Sequence, residues 1–425
     1  MTVRLQSAVA ALGFALLPSL AEAGTLTVLH AFTGGADGAT PWAYNQISTA
    51  GTVFGVTQSG GAACNVGGVP YLVGCGTIYK IDSTGAFTTI LSFTGDTGGE
   101  KPFAFELVGS RIFGITMAGG ANGNGTLYSV QTNGSDFKVL RNFSATESGT
   151  AFPALDGAGN IYYNDVDPTT QTASVLKLTH THAGYAAKDY TASTIYSFPA
   201  GVATARRIIV GTNGKLYMVA WSGCNSSTLN CGQIVSLNPD GSGFTQLLDL
   251  STTNAGNEPQ LGRIHNAGIT LYSSSGGGAN DYGAISIFHT RSSSLTTLHV
   301  FTALELRGAN APTFDPLGNL WDESLYGAED VSPTGGIGTI FEISGKPPVL
   351  TIPVVIDFNG SSNYMGPVYG AYGDGGPVWS TSSQALIGTW YAGGPSTGGL
   401  EMDCKRPDGT EISVYGCGTV FSYQP

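Results

Sequence analysis

Charge is scarce in this 425-residue chain: Asp, Glu, Lys and Arg make up 11% of it, against about a quarter in ordinary soluble proteins. Long amphipathic helices carry Glu, Lys and Arg along their wet faces, so this supply excludes a helical bundle or a coiled coil. Basic residues are the scarcer kind. Seventeen Lys and Arg face 29 Asp and Glu, a net charge of −12, and no basic run interrupts the chain. Neither nucleic acid nor an anionic lipid surface is an expected partner. Apolar runs long enough to cross a bilayer are also lacking, so no membrane span is expected. No GxSxG elbow, zincin helix, Walker loop or dinucleotide fingerprint occurs. No cofactor is expected, and whether the protein is an enzyme is left open.

Glycine is abundant, at 63 residues about twice its usual share. Gly, Thr, Ser, Val and Tyr in bulk favour short strands joined by tight turns, an all-β composition. The first 23 residues read as a signal peptide. Arg4 supplies the positive start, Ala8 to Leu17 the apolar core, and Ala21-Glu22-Ala23 a small-residue cleavage site. An uncleaved anchor is the competing reading. Export from residue 24 follows, to the periplasm, the surface or the medium.

Six cysteines fall into three close pairs: Cys64 with Cys75, Cys224 with Cys231, and Cys404 with Cys417. Export makes local disulfides permissible. Zinc would want Cys-x-x-Cys spacing with His partners, and neither is present, so no metal site is expected.

Strand-like phrases ending in Phe or Leu recur seven times, at Phe32, Phe93, Phe143, Phe198, Leu250, Phe301 and Phe358, with gaps of 61, 50, 55, 52, 51 and 57 residues. A period of this size with several strands per unit marks a radial or solenoid repeat. The unit Pro102 to Phe143 reads as four strands, "FAFELV", "RIFGIT", "GTLYSV" and "FKVLRNF". A Gly-rich loop joins the second to the third, and an Asn-Gly turn joins the third to the fourth. The chain opens with an orphan fourth strand and closes with an orphan third. The spacing therefore predicts a seven-bladed β-propeller of four-stranded antiparallel blades, one domain over residues 24–425, its ring closed by pairing residues 25–32 with residues 418–425. An eight-bladed or open arrangement is the alternative.

The phrases "TVFGVTQSGG", "RIFGITMAGG" and "ALIGTWYAGG", with the Gly-Thr-aromatic strands that follow at Gly76, Gly125, Gly338 and Gly418, resemble the GloVer tandem repeat of exported bacterial proteins. The resemblance covers nearly the whole exported chain, with blades three to five divergent. It implies a propeller-type fold and supplies no catalytic residues. Many such proteins carry a C-terminal sorting anchor; with no apolar tail before Pro425, none is expected here.

All three cysteine pairs fall in loops between second and third strands, which puts stapled, Gly-rich loops on one face, where function on rigid scaffolds gathers. A staple that merely orders a Gly-rich loop is the competing account. Aligning the ends of the second strands gives Thr57, Thr116, Asp165, Ala220, Ser275, Glu329 and Trp390, a ring expected to border the central channel. Asp165, Glu329 and Trp390 break its small or hydroxyl pattern. Asp167, Asp330, Tyr391 and the segment Asn319 to Ser324, with Trp321, Asp322 and Glu323, fall close by, and Trp42 is placed beside the channel. Carboxylates beside aromatic rings suit sugars, because rings stack on apolar sugar faces while carboxylates accept hydroxyl hydrogen bonds or do acid–base work. The same aromatics could simply fill wedges between blades.

Three readings follow: an exported binding protein for an extracellular glycan or surface polymer; a polysaccharide lyase or hydrolase with carboxylates at the channel mouth; and an envelope scaffold for protein contacts. A monomer is expected. His30 and His299 hold the same place in "TVLHAF" and "TTLHVF", a repeated structural position. His180 and His182 lack a third ligand.

Overall fold

The computed structural model describes residues 24–66, 69–71, 73–147, 151–167, 172–221, 231–256, 259–265, 268–273, 283–302, 307–309, 311–326, 338–356, 376–390, 404–405, 411–413 and 417–425. The predicted signal peptide and Phe358 lie outside them.

Seven antiparallel sheets follow one another along the chain as the blades of a β-propeller. Blade one comprises Ala39–Ile47, Val53–Ser59, Thr77–Ile81 and Phe87–Ser92, and blade two comprises Glu100–Val108, Arg111–Ala118, Thr126–Gln131 and Lys138–Asn142. Blade three has Ala154–Leu155, Ile161–Val166, Ala173–His180 and Tyr190–Ser197. In blade four a split first strand, Ala203–Thr204 and Ile209–Val210, precedes Leu216–Trp221, Gln233–Leu237 and Thr245–Asp249. Blade five is Gln260–His265, Gly268–Ser273, Ala284–His289 and Ser294–Val300. Blade six again splits its first strand, Arg307–Ala309 and Thr313–Phe314, before Leu320–Tyr326, Gly338–Ser344 and Val349–Ile356.

Blade seven is assembled from both chain ends. Val378–Ser380 pairs with Ala385–Trp390, which pairs with Thr419–Gln424, and the outermost strand is Thr25–Ala31, with Thr25 opposite Gln424 and Val28 opposite Phe421. The predicted closure is therefore present. It also removes the open edge that seven consecutive blades would leave.

The repeated aromatic has one structural job. Phe32, Phe93, Phe143, Phe198, Leu250 and Phe301 are all buried. Each donates its backbone N–H to a carbonyl at or just before the start of the third strand of its blade: Phe32 to Gly418, Phe93 to Gly76, Phe143 to Gly125, Phe198 to Ala173, Leu250 to Gly232 and Phe301 to Gly283, at 2.9–3.0 Å. The hydrogen bond ends the outer strand, and the side chain joins the apolar seam. Seams form between blades, as where Phe54, Val56 and Ile78 of blade one meet Phe105, Ile112 and Val130 of blade two. Each fully buried Phe contributes about 2–3 kcal/mol.

Glycine at the centre of a second strand is required by close approach. A Cβ on Gly55 or on Gly114 would lie 2.2 Å from the hydroxyl of Tyr79 or of Tyr128 respectively. Both tyrosines are completely buried, and that burial pushes their phenols far up.

Two predicted disulfides are formed, Cys64–Cys75 and Cys404–Cys417. Cys231 is disulfide-bonded as well, while Cys224 lies outside the described residues. The staples do more than order a loop. The Cys75 carbonyl accepts the N–H of Lys101 at 2.9 Å, and the Cys417 carbonyl that of Thr40 at 2.8 Å. Lys101 and Thr40 each open the first strand of the next blade, both at φ +54°, and each precedes a proline. A disulfide in one blade thus sets the entry to the next.

Candidate functional site

Strand register locates the predicted ring. Thr57 stands opposite Thr77, Thr116 opposite Thr126, Asp165 opposite Ser174, Ala220 opposite Gln233 and Trp390 opposite Thr419. In blades five and six the equivalent residues are Ser273, opposite Ala284, and Ser324, opposite Thr339. Ser275 and Glu329, which the sequence alignment put at this position, lie outside the described residues. The described ring residues do not border the axis. Thr57 and Thr116 are fully buried inside their blades, and their hydroxyls accept the N–H that opens the third strand, from Thr77 at 3.0 Å and from Thr126 at 2.9 Å. Ser273 does the same for Ala284 at 3.1 Å.

Asp165 is the member that departs from this role and meets other functional groups. It lines a cleft of about 390 Å3 between blades two and three with Asp167, Glu147, Arg141, Ser144, Thr146, Thr172, Ser174, Leu176 and Thr194. Arg141 and Thr194 belong to the fourth strands of the two blades, so the cleft opens between outer strands on the loop face. Asp167 enters it from the loop after the second strand, where its N–H donates to the Thr172 carbonyl at 3.1 Å.

Glu147 forms the wall. Its carboxylate accepts from Arg141 Nε at 2.9 Å, from the Ser144 N–H at 2.9 Å and from the Tyr163 hydroxyl at 3.2 Å. Burial alone would raise this carboxyl, but the hydrogen bonds from Arg141 and Ser144 outweigh it and hold Glu147 below the usual carboxylate range. The result is a polar wall with three carboxylates, one guanidinium and five hydroxyls. Sequence reasoning found Asp165 and Asp167 and missed Arg141 and Glu147. The available signal was two charges flanking the repeat residue Phe143 in a charge-poor chain.

The other predicted group separates into parts. Trp321 and Trp390 are buried in the seam between blades six and seven with Phe421 and Tyr423. Trp390 stacks on Phe421 at 4.0 Å between centroids, and Trp321 donates Nε1–H to Asp315 at 3.1 Å. These rings are wedges, and no face of theirs is presented to a ligand. Asp322 and Glu323 are buried too, with the Glu323 N–H donating to the Asp322 carboxylate at 2.8 Å. The Glu323 carboxyl is pushed well up, by burial first and by Asp322 second. In the blades nearest the repeat consensus its place is taken by Val56 and Ile115. Glu329, Asp330 and Tyr391 lie outside the described residues.

Among the described residues, side chains from different blades meet at the axis. Phe103 of blade two, Phe152 of blade three and Ala311 of blade six share one apolar cluster, with half-buried Trp42 of blade one packed against it. Lower down, Arg263 of blade five reaches the Asn45 carbonyl of blade one at 3.4 Å. Trp42 thus belongs to an axial plug. His30 and His299 lie on fourth strands, as their shared sequence context implied. His180 stacks between Tyr185 and Tyr190 with Nε2 at 2.8 Å from the Gly184 carbonyl. Among the described residues no three His, Cys, Asp or Glu side chains come together as a metal would require.

No protein-family model and no curated protein matches the sequence. Solved structures do match. An oligogalacturonate lyase in complex with manganese aligns over 94% of this chain and 93% of its own, with TM-score 0.58 and 9% identity. The oligogalacturonate lyase of Vibrio parahaemolyticus gives TM-score 0.55 and 7% identity over the same shares. The extracellular domain of a putative one-component system from B. thetaiotaomicron gives 0.52 and 7% over 94% of this chain and 40% of that one. At such identities the likeness is one of fold: the chain is similar to these proteins as a propeller.

Proposed function

We propose that this protein is an exported propeller of GloVer-type repeats that binds an extracellular glycan or surface polymer on its stapled loop face. The observation that carries this reading is the cleft between blades two and three. Its hydroxyls and carboxylates are the groups that exchange hydrogen bonds with a polyhydroxylated ligand, and its volume, about 390 Å3, suits one or two sugar rings. The disulfides support export, since such bonds persist in oxidising compartments. Closure of the ring by the chain's own two ends supports a monomer. Among the described residues no helix is long and apolar enough to cross a membrane.

Binding is preferred to acid-catalysed hydrolysis for a physical reason. A general acid must be held protonated near neutral pH, and Glu147 is held the opposite way. The strongly raised carboxyl, Glu323, is enclosed in an apolar seam away from the cleft. Screening the purified protein against a polysaccharide array, with reducing-end and unsaturated-product assays on every hit, tests both readings. Binding without turnover supports the proposal; turnover replaces it with the enzyme, and no hit on any polymer removes both.

A further inference from the structure

The cleft between blades two and three carries a charge that selects among ligands. Its three carboxylates come from three elements: Glu147 from the crossover into blade three, Asp165 from the second strand of that blade, and Asp167 from the loop after it. Asp165 is buried, and blades one and two place Thr57 and Thr116 at the same position. Those blades close with a neutral hydroxyl there, so the fold does not call for a carboxylate, whose burial costs desolvation. Arg141 is the one cation among the described lining residues, and it is already engaged. Its Nε donates to Glu147 at 2.9 Å. Burial opposes the charge on Arg141, but the Glu147 hydrogen bond and the nearby Tyr163, Glu147 and Asp165 outweigh it and push the guanidinium up. A formal excess of two negative charges remains. Among the described residues these carboxylates do not converge on one point as a metal ion would need. They are distributed along a cavity of about 390 Å3, between hydroxyls. An extended, polyhydroxylated cation meets such a wall better than a point charge does.

We infer that the cleft selects a glycan carrying primary ammonium groups, a deacetylated hexosamine polymer, over neutral and uronic glycans; this rests on the reading of the cleft as a glycan site. An ammonium gives the carboxylates charge-assisted hydrogen bonds, stronger than those of a hydroxyl, while the cleft's hydroxyls take the hydroxyls of the sugar. A uronate would instead meet three carboxylates and a guanidinium already held. The test is calorimetric titration of the whole protein with a glucosamine trisaccharide, its N-acetylated form, a hexuronate trisaccharide and trilysine, at low and at physiological salt. The glucosamine trisaccharide is expected to bind at least about tenfold tighter than each of the other three, with a preference over the acetylated form that shrinks as salt rises. Asp167→Asn, at a half-buried position, is expected to remove most of that preference with the melting temperature unmoved, and Asp167→Glu to retain it. Equal binding of the amine and its acetylated form, with both weakened in Asp165→Asn, overturns the inference and leaves the glycan reading of the cleft intact. An undiminished preference in Asp167→Asn, or a hexuronate bound as tightly as the amine, overturns the inference too. Trilysine bound as tightly as the amine overturns both. No binding of any trisaccharide overturns the inference, and the glycan reading then stands or falls on the polysaccharide array.

Discussion

The guanidinium of Arg141 sits 2.9 Å from the carboxylate of Glu147, joining the last strand of blade two to the crossover that leads into blade three. Glu147 is buried, so truncating its partner leaves an uncompensated carboxylate. Arg141→Met should cost about 1–3 kcal/mol, read from chemical denaturation. The pH dependence has a definite sign. Because the folded Glu147 carboxyl is depressed, its stabilisation is present above the usual carboxylate pKa and is lost as pH falls through the folded value. Acid unfolding should therefore be shallower in Glu147→Gln than in the parent protein.

The junction between Cys417 and Thr40 gives a second prediction. Replacing Cys404 and Cys417 together with Ser should destabilise the protein by about 2–4 kcal/mol. Hydrogen exchange should speed up at the Thr40 N–H, across the blade boundary, while the Lys101 N–H stays protected behind Cys75. Equal loss of protection at both amides would show that the staples act globally and do not set individual junctions.

Glu323 predicts the opposite pH trend. Its folded carboxyl is raised, so its contribution is fully present below the unfolded pKa and is lost as pH rises toward the folded value. Glu323→Gln should match the parent protein at acid pH and exceed it in melting temperature by a margin that grows as pH rises above the usual carboxylate pKa. A constant margin as pH rises would contradict a raised carboxyl in the seam.

Ring closure can be broken at one backbone donor. Val28→Pro removes an N–H from the strand that pairs with Thr419–Gln424. It should lower stability and expose both chain ends to protease before the remaining blades. Phe32→Ala, which empties the adjoining seam, should cost about 3–5 kcal/mol.

The architecture was readable because each blade restates it. Phe93, Phe143 and Phe301 occupy one hydrogen-bonded, buried position, and selection for the same wedge leaves the same letter. Closure was readable because the two orphan strands complete one hairpin. The site was less legible. Asp165 stood out as a carboxylate among hydroxyls, but Arg141 and Glu147 sit just before and after a repeat residue, and only the three-dimensional approach of two outer strands brings them to it. Trp321 and Trp390 looked like sugar platforms because sequence shows a ring and not the neighbour packed against it. In blades five and six the ring position goes to Ser273 and Ser324 through backbone pairing, which leaves little trace in residue type.

Asp165 and Asp167 are the central ligand groups of the proposed cleft. The direct measurement is the affinity of the purified protein for the strongest polymer found on the array, compared with Asp165→Asn and Asp167→Asn. Each variant should weaken binding about tenfold, the effect of losing one charge-assisted hydrogen bond, at an unchanged melting temperature. Unchanged affinity in both variants, alongside intact binding by the parent protein, would place the ligand elsewhere and contradict the assignment of the cleft.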